Sequence, residues 1–291
     1  MVTILKDLTR NHNLMFSLLF VVSIVFYLIN IGLSDLWSDE TYTKAMLYGP
    51  LSDFYAKFRT DLHPPLYYIG LRLYSGIFGL STVSLRIFSV VGVLATLLLG
   101  YFAGQRIFGK QGALYLCLML LSVPMVAVYS HQARMYSWAE FSITGVFIYS
   151  CLFIRTGTTR DLILLLIFTV GAMYTHYYSL IAAFMANLFV LIYLLLTKNR
   201  KWIYHMIVLI IASILFLPWF SMFIVQVKRV QRCAVDSLKY FLFFDFHKEG
   251  AWGNSHRRIL ASRYSDAEYS GPELNARPPL RRGRLSILPG R

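Results

Sequence analysis

The sequence predicts an all-α, multi-pass transmembrane protein of about seven spans, with juxtamembrane helices in its first outer loop. Two observations carry this. Of 291 residues, 57% are hydrophobic and only 14% charged, and mean hydropathy is positive, well outside the soluble globular range. The apolar residues also gather into charge-poor runs close to the roughly 20 residues that cross about 30 Å of hydrocarbon as a helix.

The runs are 14–33, 83–105 with Arg86 near its start, 111–130, 137–154 with Glu140 near its start, 161–175, 178–197 and 206–226. The first is too long and too weakly flanked for a cleaved signal peptide. Residues 65–80, "PLYYIGLRLYSGIFGL", tempt a further assignment, but they number sixteen and carry Arg72. Charge placement decides the matter. Basic clusters stand at Lys6/Arg10, Arg106/Lys110, Arg155/Arg160 and Lys198/Arg200/Lys201, and the positive-inside rule places such clusters in the cytoplasm. If 65–80 crosses, seven of these nine residues move outside; if it lies in the interface, all nine stay inside. It is therefore expected to be a non-spanning helix, with Tyr67, Tyr68 and Tyr74 at headgroup level and Arg72 snorkelling to water.

The formal charge of +14 thus reads as topology, and no nucleic-acid partner is implied. Cys117, Cys151 and Cys233 show no metal spacing and read as packing residues. With this topology the first outer loop, 34–82, shares a face with the turns at 130–137 and 175–178. That places Asp39, Glu40, Asp61, His63, Arg134, Tyr136, Glu140 and His176 together.

Each has two readings. Asp39 and Glu40, in "LWSDETYT", are either acids capping a helix over 41–48 or a base held in low dielectric at the membrane boundary. His63, in "DLHPPLYY", marks a proline-started helix or a binding residue. Arg134, in "SHQARMYSWAE", beside Tyr136, pairs internally with Glu140 or holds an anion such as a phosphate. His176, in "MYTHYYS", belongs to an interfacial aromatic belt or to a site. No carboxylate and histidine spacing specifies a metal.

Together, the acidic pair after the first run, "HPPLYY" before the second, "ARMYS" at a later turn and "YTHYYS" resemble the C-type membrane glycosyltransferases. The likeness, over about residues 10–231, is to the branch containing dolichyl-phosphate-mannose protein mannosyltransferases and bacterial aminoarabinose transferases. Gln132 departs from it, since relatives often carry an acid before "ARMY". The resemblance implies transfer of a sugar from a polyprenyl phosphate to an acceptor hydroxyl, on a protein or glycolipid, by inverting single displacement. By position it makes Asp39 the general base, with Glu40 assisting or orienting it. His63 would lie near donor or acceptor, and Arg134, with Tyr136 and His176 nearby, would hold the donor phosphate. The lipid-linked donor is the one cofactor-like partner expected, besides membrane lipids. The expected location is a bacterial inner membrane with an extracytoplasmic site.

Residues 1–231 are the expected transferase-like domain. Residues 232–291 are basic, rich in Arg, Gly, Pro and Ser, and without helical or strand period from Glu249, so they read as a disordered tail. Relatives continue with further helices, which makes a truncated or frameshifted chain one explanation, beside a short natural member or a lipid-associating tail. The rival class is a non-catalytic membrane protein that binds or translocates a lipid or small solute. Clustering of the charges at one interface, and the lack of an inverted repeat, argue against it.

Overall fold

The computed structural model describes residues 11–244. One compact unit ends at Cys233; of the second, the described part is helical through Phe244. The remainder of the predicted tail lies outside the described residues.

Every described element is a helix. Helix α1 (His12–Leu28) starts where the Asn11 side chain accepts from the Leu14 N–H at 3.2 Å. It stops just before Asn30, whose φ of 63° leaves the helical region. The first loop carries α2 (Ser38–Leu47), α3 (Leu51–Lys57) and α4 (Leu66–Phe78). Helix α5 (Thr82–Phe102) follows the Ser81 cap. Helices α6 (Gln105–Ser122) and α7 (Pro124–Ser130) meet at a 69° bend, where Pro124 opens the new helix. Then come α8 (Tyr136–Thr156), α9 (Thr159–Thr175), α10 (Tyr177–Leu196) and α11 (Trp202–Phe244).

All seven predicted runs fall on helices, but not all reach spanning length. Helices α5, α8, α10 and residues 202–232 of α11 are long and apolar enough to cross a membrane, and the bent α6/α7 pair makes a fifth span if it counts as one. Helices α1 and α9 have 17 residues each. Helix α4, at 13 residues, is too short to cross. Its Arg72 stays partly exposed, as expected, and also serves as a cap. The guanidinium donates to the Leu47 carbonyl at 2.9 Å and the Gly49 carbonyl at 2.7 Å, closing the C-terminal end of α2.

Packing fixes the two ends of the bundle separately. Helix α8 lies between α5, α9 and α10, with Val146, Ile148, Leu152, Leu165 and Ala183 buried between them. Phe54, Phe58, Tyr67, Tyr68 and Leu71 of the first loop bury against Leu85, Ala133 and Met135. This second core sets the first loop on the ends of α5 and α8. Near it, Gln226 of α11 donates to the Phe58 carbonyl at 3.1 Å and Arg229 to the Thr60 carbonyl at 3.0 Å.

Candidate active site

The site is organised by an ion pair that sequence patterns do not reveal. Glu40 is fully buried, and its Oε2 accepts from Arg86 Nη2 at 2.7 Å, while Oε1 accepts from Arg86 Nε at 2.9 Å. The same carboxylate takes the Ala133 N–H at 2.8 Å and the Trp37 N–H at 3.3 Å. Arg86 in turn donates to the carbonyls of Ile31, Ser34 and Asp35 at 2.9–3.1 Å. Burial alone would raise the Glu40 pKa. The hydrogen bonds from Arg86 and Ala133 outweigh it and hold the carboxyl below its ordinary range. Two buried charges tolerate each other only with such complete bonding. The result joins the chain exit after α1, the start of α2, the start of α5 and the 131–135 turn at one point.

Asp39 and Arg134 project from the parts joined. Trp37, rather than the expected Ser38–Glu40 segment, is the N-cap of α2, so Asp39 lies in its first turn. Its side chain is 45% exposed and its Oδ2 is 3.8 Å from Arg134 Nη2. Arg134 is buried beside Tyr68 and Tyr136, and its contacts to α2 and His63 are long. Nη1 donates to the Asp39 carbonyl at 3.4 Å and to Thr43 Oγ1 at 3.3 Å, and Nη2 meets His63 Nε2 at 3.4 Å. Its Nε has no acceptor at hydrogen-bonding geometry among the described residues. The expected alternative, pairing with Glu140, is not made: the turn directs Arg134 toward α2, and no ion pair to Glu140 forms.

His63 precedes α4 and is oriented by Asp61, whose Oδ1 lies 3.1 Å from His63 Nδ1. With Nδ1 bearing the proton toward Asp61, Nε2 is free to accept from Arg134. The ring centroids of His63 and His176 are 5.5 Å apart, and Tyr136 lies 5.7 Å from His176. His176 sits at the break between α9 and α10, where Nδ1 accepts the Tyr178 N–H at 3.1 Å and caps α10. Burial first, then its position beside His63 and Arg134, pushes its pKa down to about 4. It is therefore neutral near pH 7.

The structure thus brings Asp39, His63, Arg134, Tyr136 and His176 into one cluster, with Glu40 behind it. Beside the cluster, Met125, Val126, Tyr129, Tyr136, Glu140 and His176 line a groove of about 390 Å³ between α7, α8 and α10. Among the described residues, no group of three His, Cys, Asp or Glu side chains could hold a metal ion.

Residues 62–225, more than half of the chain, match the family described as dolichyl-phosphate-mannose-protein mannosyltransferase. The chain belongs to this family. The matched segment of the mannosyltransferase family contains His63, Arg134, Tyr136, Glu140 and His176, and it starts after Asp39 and Glu40. ArnT from Cupriavidus metallidurans, solved bound to undecaprenyl phosphate, has a similar fold: the TM-score is 0.54 at 18% identity, over 71% of this chain and 41% of that one. The matched part of this chain therefore spans under half the length of that structure. No curated protein matches it.

Arg86 and the orienting role of Asp61 escape a reading by motif. Arg86 did leave a signal: an arginine inside an apolar run demands a buried partner, and Glu40 supplies it across 46 residues of chain.

Proposed function

We propose that this member of the mannosyltransferase family transfers a sugar from a polyprenyl phosphate to an acceptor hydroxyl at the extracytoplasmic face of a bacterial inner membrane. Residues 1–231 form the transferase-like unit in this reading. The observation that carries it is Arg134: a buried guanidinium beside Tyr68 and Tyr136 whose contacts to Asp39, Thr43 and His63 are 3.3 Å or longer. Such a cation gains by exchanging them for a phosphate that accepts two short, charge-assisted bonds. ArnT, which shares the fold, was solved with a polyprenyl phosphate bound, in keeping with this assignment. The basic residues Arg106, Arg155 and Lys201 lie at the opposite helix ends, which supports an outward-facing site.

In the proposed step the Asp39 carboxylate takes the proton of the acceptor hydroxyl. The acceptor oxygen attacks the anomeric carbon as the bond from that carbon to the phosphate oxygen breaks, and the electron pair leaves with the polyprenyl phosphate. Arg134 stabilises that charge, so the leaving group needs no proton. At 3.8 Å the two side chains are too close to flank a sugar, so donor binding parts them. Asp39, at 45% exposed, can be hydrated as it moves away, and the donor phosphate replaces it beside the buried guanidinium. Glu40 has no spare lone pair for chemistry; it fixes where Asp39 and Arg134 stand. His63, held by Asp61, and His176, with Tyr136, border the phosphate position.

The test uses membranes containing the full chain and labelled polyprenyl-phosphate hexoses. Asp39→Asn and Arg134→Ala should each lower transfer by about 10²–10³-fold. Equal transfer by wild type and both variants removes the mechanism.

A further inference from the structure

Glu140 is the acid that neither the Arg86 hub nor the Arg134 cluster uses. It lies one helical turn beyond Tyr136 on α8 and lines the groove, yet among the described residues it makes no hydrogen bond or ion pair. A carboxyl that lacks a hydrogen bond within an apolar helix bundle, with Tyr27 as an electrostatic neighbour, is costly. A groove shaped only for hydrocarbon would be better without it. The other walls divide in character: Met125 and Val126 are apolar, whereas Tyr129 and Tyr136 stand with ring centroids 4.3 Å apart and His176 follows Tyr136. The volume, about 390 Å³, falls within the range of small-molecule sites, about 300–1,000 Å³. Flat aromatic faces beside a carboxyl that can accept or donate suit a ring with C–H bonds on its faces and hydroxyls around its edge.

We infer that this groove holds the sugar of the donor, and that Glu140 reads a pair of its hydroxyls as the specificity-determining contact. The inference rests on the transferase reading and deepens it. Tyr136 and His176 line the groove and border Arg134, so a phosphate on Arg134 would present its sugar to the groove.

Binding of two probes to the full chain in lipid nanodiscs separates the possibilities: undecaprenyl phosphate, and the undecaprenyl-phosphate hexose that wild type binds best from a glucose, mannose and galactose panel. Glu140→Leu should weaken the sugar-bearing lipid by about tenfold or more, the effect of losing hydrogen bonds to a potentially charged group, while sugar-free undecaprenyl phosphate binds as in wild type. Glu140→Gln, which keeps a donor and an acceptor, should stay within about threefold of wild type. Arg134→Ala should weaken both lipids. Unchanged binding of the sugar-bearing lipid by Glu140→Leu, or equal loss for both lipids, overturns the sugar subsite and leaves the phosphate site standing. Glu140→Gln as damaging as Glu140→Leu, with folding intact by thermal melting, overturns the hydroxyl reading in favour of a charge contact. If wild type binds neither lipid, the transferase reading falls and this inference with it.

Discussion

An arginine meets an aspartate at both ends of the helix bundle, and the two meetings differ. At one end Arg106 donates twice to Asp161, at 2.8 and 3.0 Å, and the hydroxyls of Thr156 and Thr158 complete the carboxylate at 2.7 Å each. Arg155 and Lys201 add bonds to the Ile107 and Ile154 carbonyls at 2.6 and 2.7 Å. At the other end the guanidinium is 4% exposed and the carboxylate 45%, and they stand 3.8 Å apart. In the first case it is the carboxylate that is fully buried, while the arginine reaches water. A saturated carboxylate has no valence left for a ligand, so the Arg106 end ties helices together. A buried cation with loose contacts keeps its capacity for an anion. In the proposed function, the difference separates structural from functional charge more sharply than the presence of charge does.

The largest effects should come from breaking the two hubs. Glu40→Ala strands Arg86, which is 4% exposed, and should cost about 3–5 kcal/mol of stability. Because Glu40 also holds the Ala133 N–H, transfer should disappear with it. Asp161→Ala should cost about 2–3 kcal/mol, less than a fully buried pair because Arg106 can turn to water. Transfer per folded molecule should survive. Thermal melting in detergent with activity normalised to folded protein checks both; an Asp161 variant that folds well but is inactive would erase the distinction between the ends.

The helices themselves were legible in the sequence, because span length and polarity are local properties. Each predicted run lies on a helix, and the short 65–80 segment is a helix too short to span. What local pattern could not supply was pairing. Arg86 stood in plain view inside an apolar run, but Glu40 and Ala133 come from elements set beside it by the fold. Likewise Arg134 and Glu140 are close in sequence, which left their pairing open beside an anion-binding role; the tight turn at 131–135 instead sends the guanidinium to Asp39 and Thr43. The convergence of Asp39, His63, Arg134 and His176 was anticipated from charge topology, which is a global constraint that a sequence does carry.

A smaller effect should appear with pH, at the Arg134 end. His176 has a pKa of about 4 in the fold, below the roughly 6.5 of an unfolded histidine. Between those values the unfolded chain binds the extra proton, so stability falls as pH falls, by up to about 1.4 kcal/mol per unit. The groups facing it are His63, Arg134, Tyr136 and Tyr178. His176→Asn keeps an acceptor for the α10 cap and removes the titration, so its melting temperature should vary less than wild type between pH 6.5 and 5. Parallel profiles would show that the acid sensitivity lies elsewhere.

The smallest effects should come from two threonines in corresponding positions. Thr158 Oγ1 accepts the Asp161 N–H at 3.3 Å as the N-cap of α9 and donates to Asp161 Oδ2 at 2.7 Å. Its replacement by Val loses a cap and a charge-assisted bond, about 1–2 kcal/mol, without changing transfer. Thr43 Oγ1 donates to the Asp39 carbonyl at 3.0 Å and accepts the long 3.3 Å bond from Arg134. Thr43→Val keeps the shape of a buried site and removes one loose restraint on the guanidinium, so it should cost below about 1 kcal/mol of stability. Its effect should fall on the KM for donor, about two- to fivefold, because the arginine loses part of the cradle that points it at the phosphate. If Thr43→Val instead costs as much stability as Thr158→Val and leaves the KM alone, the contacts around Arg134 are structural after all. The two ends would then differ only in geometry, not in purpose.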